Sequence, residues 1–532
     1  MKKIFISLIL LSSIFAITSC ADFLTDVNPN AITTGSFWKT GNDARQGLAA
    51  TYGILQYSNV MGGTGVTSGL ASSDIGRANI WEASPLALQE FSYNETNPFL
   101  TERWNQLYIG VFRANQVLEF VPNINMDEKV KGTIIAETYF LRGLYLYWLM
   151  ESYNQGSIPL PTIVPQKLSD YNKPLATREE VYDQVLSDLS FAADAKALPD
   201  RWDDINLGRA TWGAAQGILG QFYLYEQKWD LAAKQFEKII ARKDLYELVD
   251  DIGWNFDIEH EWNKESIFEV NFSDIVKPGT NAYVIDSPTG SETTNRPMIV
   301  GGWGILTPSA YIRELYMNDP VDQAVVSNIG RKYSKRCEAS IYFKDAGYPY
   351  YVNADGTTNE QYLERTVNAS IKKFQNWKGR IREDGTNYRS GINERVLRLA
   401  DVYLMYAEAL VQRDGDSKAA TAVTYINYVR SRSGVTPLNA SDYNTKDKVM
   451  NHLMYVERPL ELAWEGFNIR WYDLRRWGKI KPWLTDLASR TWKFPDTGPI
   501  KQFGNSAANF QPKHYYFPIP NVETNSNPYI KN

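Results

Sequence analysis

Residues 457–479, ERPLELAWEGFNIRWYDLRRWGK, form the most strongly patterned stretch of this chain. Its large apolar residues follow steps of four, three, four and three: Leu460, Trp464, Phe467, Trp471 and Leu474. That spacing is typical of one face of an α-helix. Pro459 predicts a helix start or a kink, because its nitrogen cannot donate a hydrogen bond. We therefore predict a buried aromatic helix, covered by other helices and braced by ion pairs among its many charged residues.

Two helix pairs are predicted on either side of a long insertion, at 208–242 and 400–432. Each combines small residues, such as Gly220, that allow close helix approach with large ones, such as Phe236, that fill the groove, a tetratricopeptide-like pattern. The turn at Asp414–Asp416 lacks the further ligands of a calcium loop. The long insertion excludes a simple tandem solenoid.

Further helices are predicted from apolar periodicity and start signals. One spans about 102–121, and another spans 134–153 and ends before Ile158-Pro159-Leu160-Pro161, because proline does not continue a helix. Thr177 and Glu180 form a capping box that begins a helix lasting to about 195. With an N-terminal helix, the predicted scaffold covers about 30–60, 102–242 and 393–480.

The N-terminus has the pattern of a lipoprotein signal peptide over residues 1–19. Lys2 and Lys3 precede an apolar run, which ends in small residues just before Cys20. We predict that Cys20 is lipidated and that the mature domain, 20–532, is anchored to a membrane without spanning it, since the apolar run is short.

Composition excludes several classes of function. The net charge is −5 and there is no basic run, which argues against nucleic acid as a partner. The three histidines are far apart in sequence, so no zinc site is predicted. With Cys20 modified, Cys337 has no partner for a disulfide within the chain and is expected to be an inert thiol.

Two loop-rich regions, about 61–100 and 270–390, are the predicted binding regions. Glycines at 62–69 lack the lysine and the preceding strand of a phosphate loop. Aromatic residues in polar loops offer flat faces for sugar rings, and neighbouring amides can bind hydroxyls. The candidate ligand-binding residues are Asn79, Trp81, Tyr283 and Trp303.

Taken together, the order of these motifs resembles the SusD-like (RagB/SusD) family of outer-membrane nutrient-binding lipoproteins. The resemblance covers nearly the whole chain, from Cys20 to the closing segment Tyr516-Phe517-Pro518-Ile519-Pro520. It implies a mostly α fold, a tetratricopeptide-like helix-pair scaffold with a loop-rich insertion containing a few short strands. It also implies a lipid-anchored protein on the cell surface that binds oligomeric nutrient, chiefly glycan, and delivers it to a SusC-like TonB-dependent outer-membrane transporter. Neither enzymatic activity nor a cofactor is expected.

Three alternatives stay open: a different ligand, a different chemistry, or a structural adaptor that contacts only protein. Some members of the family are associated with peptides, so a peptide ligand stays open. A surface glycosidase would need two facing carboxylates, one of them with a raised pKa. Glu461 and Glu465 are the candidate pair. Nearby arginines favour the ionised form of both carboxylates, which argues against either acting as the general acid.

Overall fold

The protein is mostly α-helical, as predicted, and is described by a computed structural model over residues 37–62, 71–78, 83–272, 306–352, 355–358, 363, 365–375, 377 and 391–530. The helices of that part, in chain order, are α1 Gly41–Tyr52, α2 Ala83–Glu90, α3 Pro98–Phe120, α4 Glu128–Ser152, α5 Arg178–Asp194, α6 Trp212–Tyr225, α7 Trp229–Ile240, α8 Ala310–Met317, α9 Lys335–Ser340, α10 Leu399–Asp414, α11 Ala419–Arg432, α12 Lys446–His452, α13 Arg458–Glu461, α14 Ile469–Arg476, α15 Ile480–Ser489, α16 Gly504–Asn509 and α17 Asn521–Ser526.

The scaffold is a row of helices, each packed against the next. Helices α3 to α7 contact one another in chain order, and α7 then contacts α10, which pairs with α11. Small residues set the spacing, since a Cβ at Gly110 would stand 2.7 Å from the Tyr145 ring and one at Gly220 would stand 2.6 Å from Phe236. The helix pairs predicted at 208–242 and 400–432 are confirmed, including the turn at Gly415, whose φ is 65°.

Side-chain caps explain where several helices begin. Thr40 and Thr177 each accept a hydrogen bond from the third helical residue, whose carboxylate bonds back to the cap. The predicted capping box at Thr177 is therefore confirmed. At the other end of the chain, Phe517 N donates to Ser152 O over 2.8 Å, so the closing segment lies against the end of α4.

Six short strands form three antiparallel pairs in the described residues. The strands are β1 Gly76–Ala78, β2 Ser266–Val270, β3 Leu306–Pro308, β4 Ile341–Phe343, β5 Ala369–Ile371 and β6 Glu394–Arg398. β1 pairs with β3, β2 with β6 and β4 with β5. β3 also contacts β5, which links two of these pairs into one strand-containing patch beside the helical row.

Residues 457–475 are buried as predicted, but the prediction of one continuous helix over 457–479 is wrong. Two short helices, α13 and α14, flank an irregular turn in which Trp464, Gly466 and Asn468 have φ of 62°, 65° and 56°. Trp464 is completely buried in this turn, and its indole nitrogen donates a hydrogen bond to Ile75 O. Of the two possibilities predicted for Pro459, a helix start or a kink, the start is wrong, because a π-helical turn, Leu453–Glu457, joins α12 to α13 without a break and Pro459 lies just after it.

The regions predicted to be irregular contain helices as well as loops. α2 lies within 61–100, and α8 and α9 lie within 270–390, so those ranges are less irregular than their glycine and tyrosine content indicates. Cys337 is fully buried in α9, and burial raises the pKa of its thiol well above the ordinary value, in keeping with the expected inert thiol. None of the helices described is both long and apolar enough to cross a bilayer.

Candidate ligand-binding face

An ion pair between Asp74 and Arg470 ties the first loop region to the 457–479 stretch. Arg470 donates through Nε to Asp74 Oδ1 over 2.8 Å and through a terminal nitrogen to Oδ2 over 2.6 Å. Trp483 Nε1 donates to the same Oδ2 over 2.6 Å. Burial disfavours the charge of Arg470, but the Asp74 carboxylate outweighs it and raises the pKa of Arg470. Arg470 therefore stays charged, and its two hydrogen bonds hold Asp74 in the core.

The next residue, Ile75, is held by its carbonyl. It accepts hydrogen bonds from Trp464 Nε1 over 3.2 Å and from Ser309 N over 3.3 Å. Ser309 Oγ in turn donates to Asp74 O over 2.5 Å. Trp464 and Ser309 thus both form hydrogen bonds to the segment Asp74–Ile75, which leads directly into β1.

The β1–β3 ribbon positions the ends of both loop regions. Its register pairs Gly76 with Pro308 and Ala78 with Leu306. A Cβ at position 76 would stand 2.7 Å from Leu306, so glycine permits the close approach. Ala78 N donates to Gln89 Oε1 over 2.6 Å, which fixes the ribbon to α2. The chain leaves β1 after Ala78 and enters β3 at Leu306, at the same end of the ribbon.

All four candidate ligand-binding residues, Asn79, Trp81, Tyr283 and Trp303, lie outside the described residues, as does Cys20. Asn79 directly follows Ala78, Trp81 comes three residues after Ala78, and Trp303 comes three residues before Leu306, the partner of Ala78 in the ribbon. Sequence reasoning selected those residues by type and did not foresee the pairing, because β1 and β3 are too short to show an alternating pattern.

Arg77 is a candidate polar group that sequence reasoning did not select for binding. Its guanidinium lies 4.8 Å from the centroid of the Phe503 ring. One terminal nitrogen, NH1, is buried and has no hydrogen-bond partner among the described residues. Burial lowers the pKa of Arg77 to about 10, and the charge of Glu90 opposes that shift. This nitrogen is therefore a buried donor that is left unsatisfied among the described residues.

A concavity of about 300 Å³ lies near the end of β5. Trp254 and Trp377 line it together with Lys372, and the Lys372 Nζ stands 3.9 Å from the Trp377 ring centroid. Trp254 stacks on His260 with ring centroids 4.7 Å apart. Aromatic faces beside charged groups suit a polar, ring-containing ligand. Trp377 lies inside the predicted binding region 270–390 and could have been selected as Trp303 was, whereas Trp254 lies outside both predicted regions.

Glu461 and Glu465 lie inside the core, in a cluster of ionised side chains. Arg398 donates to Glu461 over 2.7 Å, to Glu465 over 2.6 Å and to Glu265 over 2.7 Å. Lys373 Nζ donates to Glu465 over 2.6 Å. Burial raises the pKa of Glu461, but the charges of Arg432 and Arg398 outweigh it and lower that pKa to about 2. The pair is closed to substrate, and Glu461 cannot supply a proton near neutral pH.

One group of possible metal ligands occurs among the described residues: Asp257, Glu259 and His260, with ligand atoms within 4.8 Å of one another. Asp257 Oδ1 accepts hydrogen bonds from the backbone nitrogens of Glu259 and His260 and lies 2.8 Å from the Nδ1 of His260. These bonds make the group a turn that stabilises its own loop.

Comparison with known proteins gives a consistent picture. The family model described as "SusD family" matches residues 264–532, and the one described as "Starch-binding associating with outer membrane" matches residues 36–224. A SusD-like protein of Formosa agariphila is 24% identical, with 97% of this chain and 96% of that protein aligned.

Solved structures agree over nearly the whole chain. A SusD superfamily protein of Bacteroides vulgatus superposes with a TM-score of 0.75 and 26% identity, covering 93% of this chain and 99% of that one. A laminarin-binding SusD-like protein has a TM-score of 0.70 and 26% identity, with coverage of 91% and 97%. The fold is therefore shared with these proteins over nearly the whole chain, and this chain belongs to the SusD family.

Proposed function

We propose that this chain is a cell-surface lipoprotein that binds an oligomeric glycan at the face built on the β1–β3 ribbon and delivers it to a SusC-like TonB-dependent outer-membrane transporter. One observation carries the proposal of a single site: Ala78 pairs with Leu306. Trp81 follows Ala78 by three residues and Trp303 precedes Leu306 by three, and three residues reach at most about 11 Å. Chain connectivity therefore supports a site to which both tryptophans contribute.

The chemistry of this face suits a sugar chain. Tryptophan and tyrosine offer flat apolar faces for pyranose rings, and Trp81, Trp303 and Tyr283 supply them in this proposal. The Asn79 amide supplies hydrogen bonds to hydroxyls in this proposal. The laminarin-binding relative supports a glycan as the ligand class.

Anchoring at Cys20 completes the proposal. Sixteen residues, 21–36, separate Cys20 from Phe37, and an extended segment of that length reaches roughly 55 Å. Trp38 is fixed against the end of α3, where its ring stacks on Phe120 with centroids 5.4 Å apart. The helical scaffold is thus held by a tether long enough to let a binding face move relative to a transporter in the same membrane.

Calorimetry with a panel of soluble glycans, including laminarihexaose, and a parallel panel of peptides tests the proposal. We expect saturable binding of at least one glycan, and we expect chromatography to recover that glycan intact. Binding of peptides alone would favour a peptide-binding member of the family, and release of shorter sugars would overturn the assignment as a binding protein. Purification from native membranes tests delivery, which predicts a co-purifying TonB-dependent transporter.

A further inference from the structure

One deeply buried tyrosine hydroxyl of the scaffold has no protein partner among the described residues. Tyr147 of α4 is 1% exposed, and its Oη makes no hydrogen bond in that part of the chain. A buried hydroxyl without a partner costs free energy, so the position of this group requires an explanation. Four other fully buried tyrosines donate to backbone carbonyl oxygens over 2.6 to 2.8 Å: Tyr145 to Thr51, Tyr153 to Leu100, Tyr311 to Tyr455 and Tyr316 to Leu460.

Packing against α6 holds the ring of Tyr147 in place. Its centroid lies 5.4 Å from that of Phe222 and 6.0 Å from that of Tyr225, and both contacts are edge-on. Burial chiefly raises the pKa of Tyr147 well above its ordinary value, and the nearby hydroxyl of Tyr225 adds to that rise. The Tyr147 hydroxyl therefore stays protonated inside the core, with the Tyr225 hydroxyl close to it.

Tyr147 lines a small cavity between α4, α6, β6 and the 457–479 stretch. The volume of the cavity is about 10 Å³. Gln221 and Tyr225 line it from α6, and Trp148 and Phe467 line it from α4 and the 457–479 stretch. The rings of Trp148 and Phe467 stack with centroids 4.1 Å apart, so the cavity lies where that stretch packs on the helical row.

The size and the lining of this cavity both suit one water molecule. A water needs about 10–15 Å³, and a larger polar molecule does not fit. The hydroxyls of Tyr147 and Tyr225 and the amide of Gln221 can each donate or accept a hydrogen bond, as water can. The residues that line the cavity include no charged side chain, so an ion there would lack a counter-charge.

We propose that this cavity binds a single water molecule, which bonds to Tyr147 Oη and takes Gln221 and Tyr225 as its further partners. The water then satisfies the buried hydroxyl and joins α4 to α6 beside the 457–479 stretch. The cavity shares no residue with the β1–β3 ribbon, so this proposal stands or falls separately from glycan binding.

A crystal structure at a resolution that shows ordered waters tests the proposal. We expect a solvent peak within about 3 Å of Tyr147 Oη. The peak should be absent from Tyr147→Phe and present in Tyr145→Phe, the matched control on the same helix, whose hydroxyl bonds to Thr51 O outside the cavity. A cavity without density, in a structure that shows other buried waters, would overturn the proposal. So would an unchanged peak in Tyr147→Phe.

Urea unfolding gives a second, independent measurement. Tyr147→Phe should lower the urea midpoint, as Tyr145→Phe should, because each variant loses a hydrogen bond that is satisfied in the folded protein. If the Tyr147 hydroxyl has no water, its removal relieves an unsatisfied group, and an unchanged or raised midpoint would contradict the proposal. Tyr428→Ala is the surface control, because Tyr428 is 50% exposed on α11 and does not line the cavity, and it should leave the midpoint unchanged.

Discussion

Arg470 and Asp74, which are 396 residues apart in the chain, form a buried ion pair with two hydrogen bonds. Arg470 belongs to the 457–479 stretch, and Asp74 comes two residues before the strand that leads to Asn79 and Trp81. The pair therefore connects the most strongly patterned segment of this chain to the segment proposed to bind ligand. This ion pair therefore helps to stabilise the segment proposed to bind ligand.

Asp74→Asn is expected to destabilise the protein by ~3–5 kcal/mol, because it leaves the buried guanidinium of Arg470 without its counter-charge. Urea unfolding measures that loss. Asp486→Asn is the control: its pair with Arg490 is solvent-exposed on α15, and losing it should cost about 1 kcal/mol or less. Equal losses for the two variants would mean that the Asp74 pair does not hold the binding face in place.

Glu461→Gln should also destabilise the protein by ~3–5 kcal/mol, since Arg398 and Arg432 would keep their buried charges while losing one carboxylate. Urea unfolding at neutral pH measures this change. Glu247→Gln, which removes an exposed partner of Lys264, should change stability by about 1 kcal/mol or less.

From the lowered pKa of Glu461 we predict that the free energy of unfolding depends on pH. The folded-state pKa of Glu461 is lowered to about 2 from an ordinary value of 4.5, so the unfolded chain binds more protons between these values. The free energy of unfolding must therefore fall as the pH is lowered from 4.5 towards 2. The slope for Glu461→Gln should be shallower by up to about 1.4 kcal/mol per pH unit. Parallel slopes for the two proteins would contradict the lowered pKa.

The fold was largely predictable because its helices follow local rules. Capping at Thr177, the helix pair around Gly220 and the burial of Trp471 each follow from short-range pattern. The break at Trp464–Asn468 does not, because apolar spacing continues across it. Gly466 and Asn468 were a signal, since both residue types accept a positive φ more readily than others. Trp464 has a positive φ although it is bulky, and its indole, which is fully buried, donates to Ile75 O.

The candidate site was less predictable, because it depends on pairings between distant segments. Nothing in the sequence near Trp81 indicates that Ala78 pairs with Leu306, or that Asp74 receives Arg470. Likewise, the charged residues of 457–479 looked like the outer faces of a helix. They are buried because their partners, such as Arg398 and Asp401, come from β6 and α10.

Gly110→Ala tests the close contact between α3 and α4. The added Cβ would stand 2.7 Å from the ring of Tyr145, which is fully buried and donates to Thr51 O, so the ring cannot move away freely. We expect a loss of ~1–3 kcal/mol by urea unfolding. Gly132→Ala, in α4 with nothing within 4 Å of its Cβ, should instead stabilise by ~0.5–1 kcal/mol. Stabilisation by both would contradict the packing argument.

Cys20→Ala tests the anchor. Metabolic labelling with a radioactive fatty acid should label the protein of original sequence and not the variant. Cys337 cannot take the label instead, because it is buried and its thiol stays protonated. The protein of original sequence should fractionate with membranes. A labelled Cys20→Ala variant, or an unlabelled original protein, would refute lipidation at Cys20.

The most direct test of the central claim is calorimetric affinity for a glycan that the protein binds, measured for Trp81→Ala and Trp303→Ala beside Tyr428→Ala and followed by thermal melting of each variant. The account predicts that both tryptophan variants lose affinity, while all three melt at the temperature of the original protein. Full affinity in both tryptophan variants, or a large drop in their melting temperature, would show that these side chains do not form the glycan site.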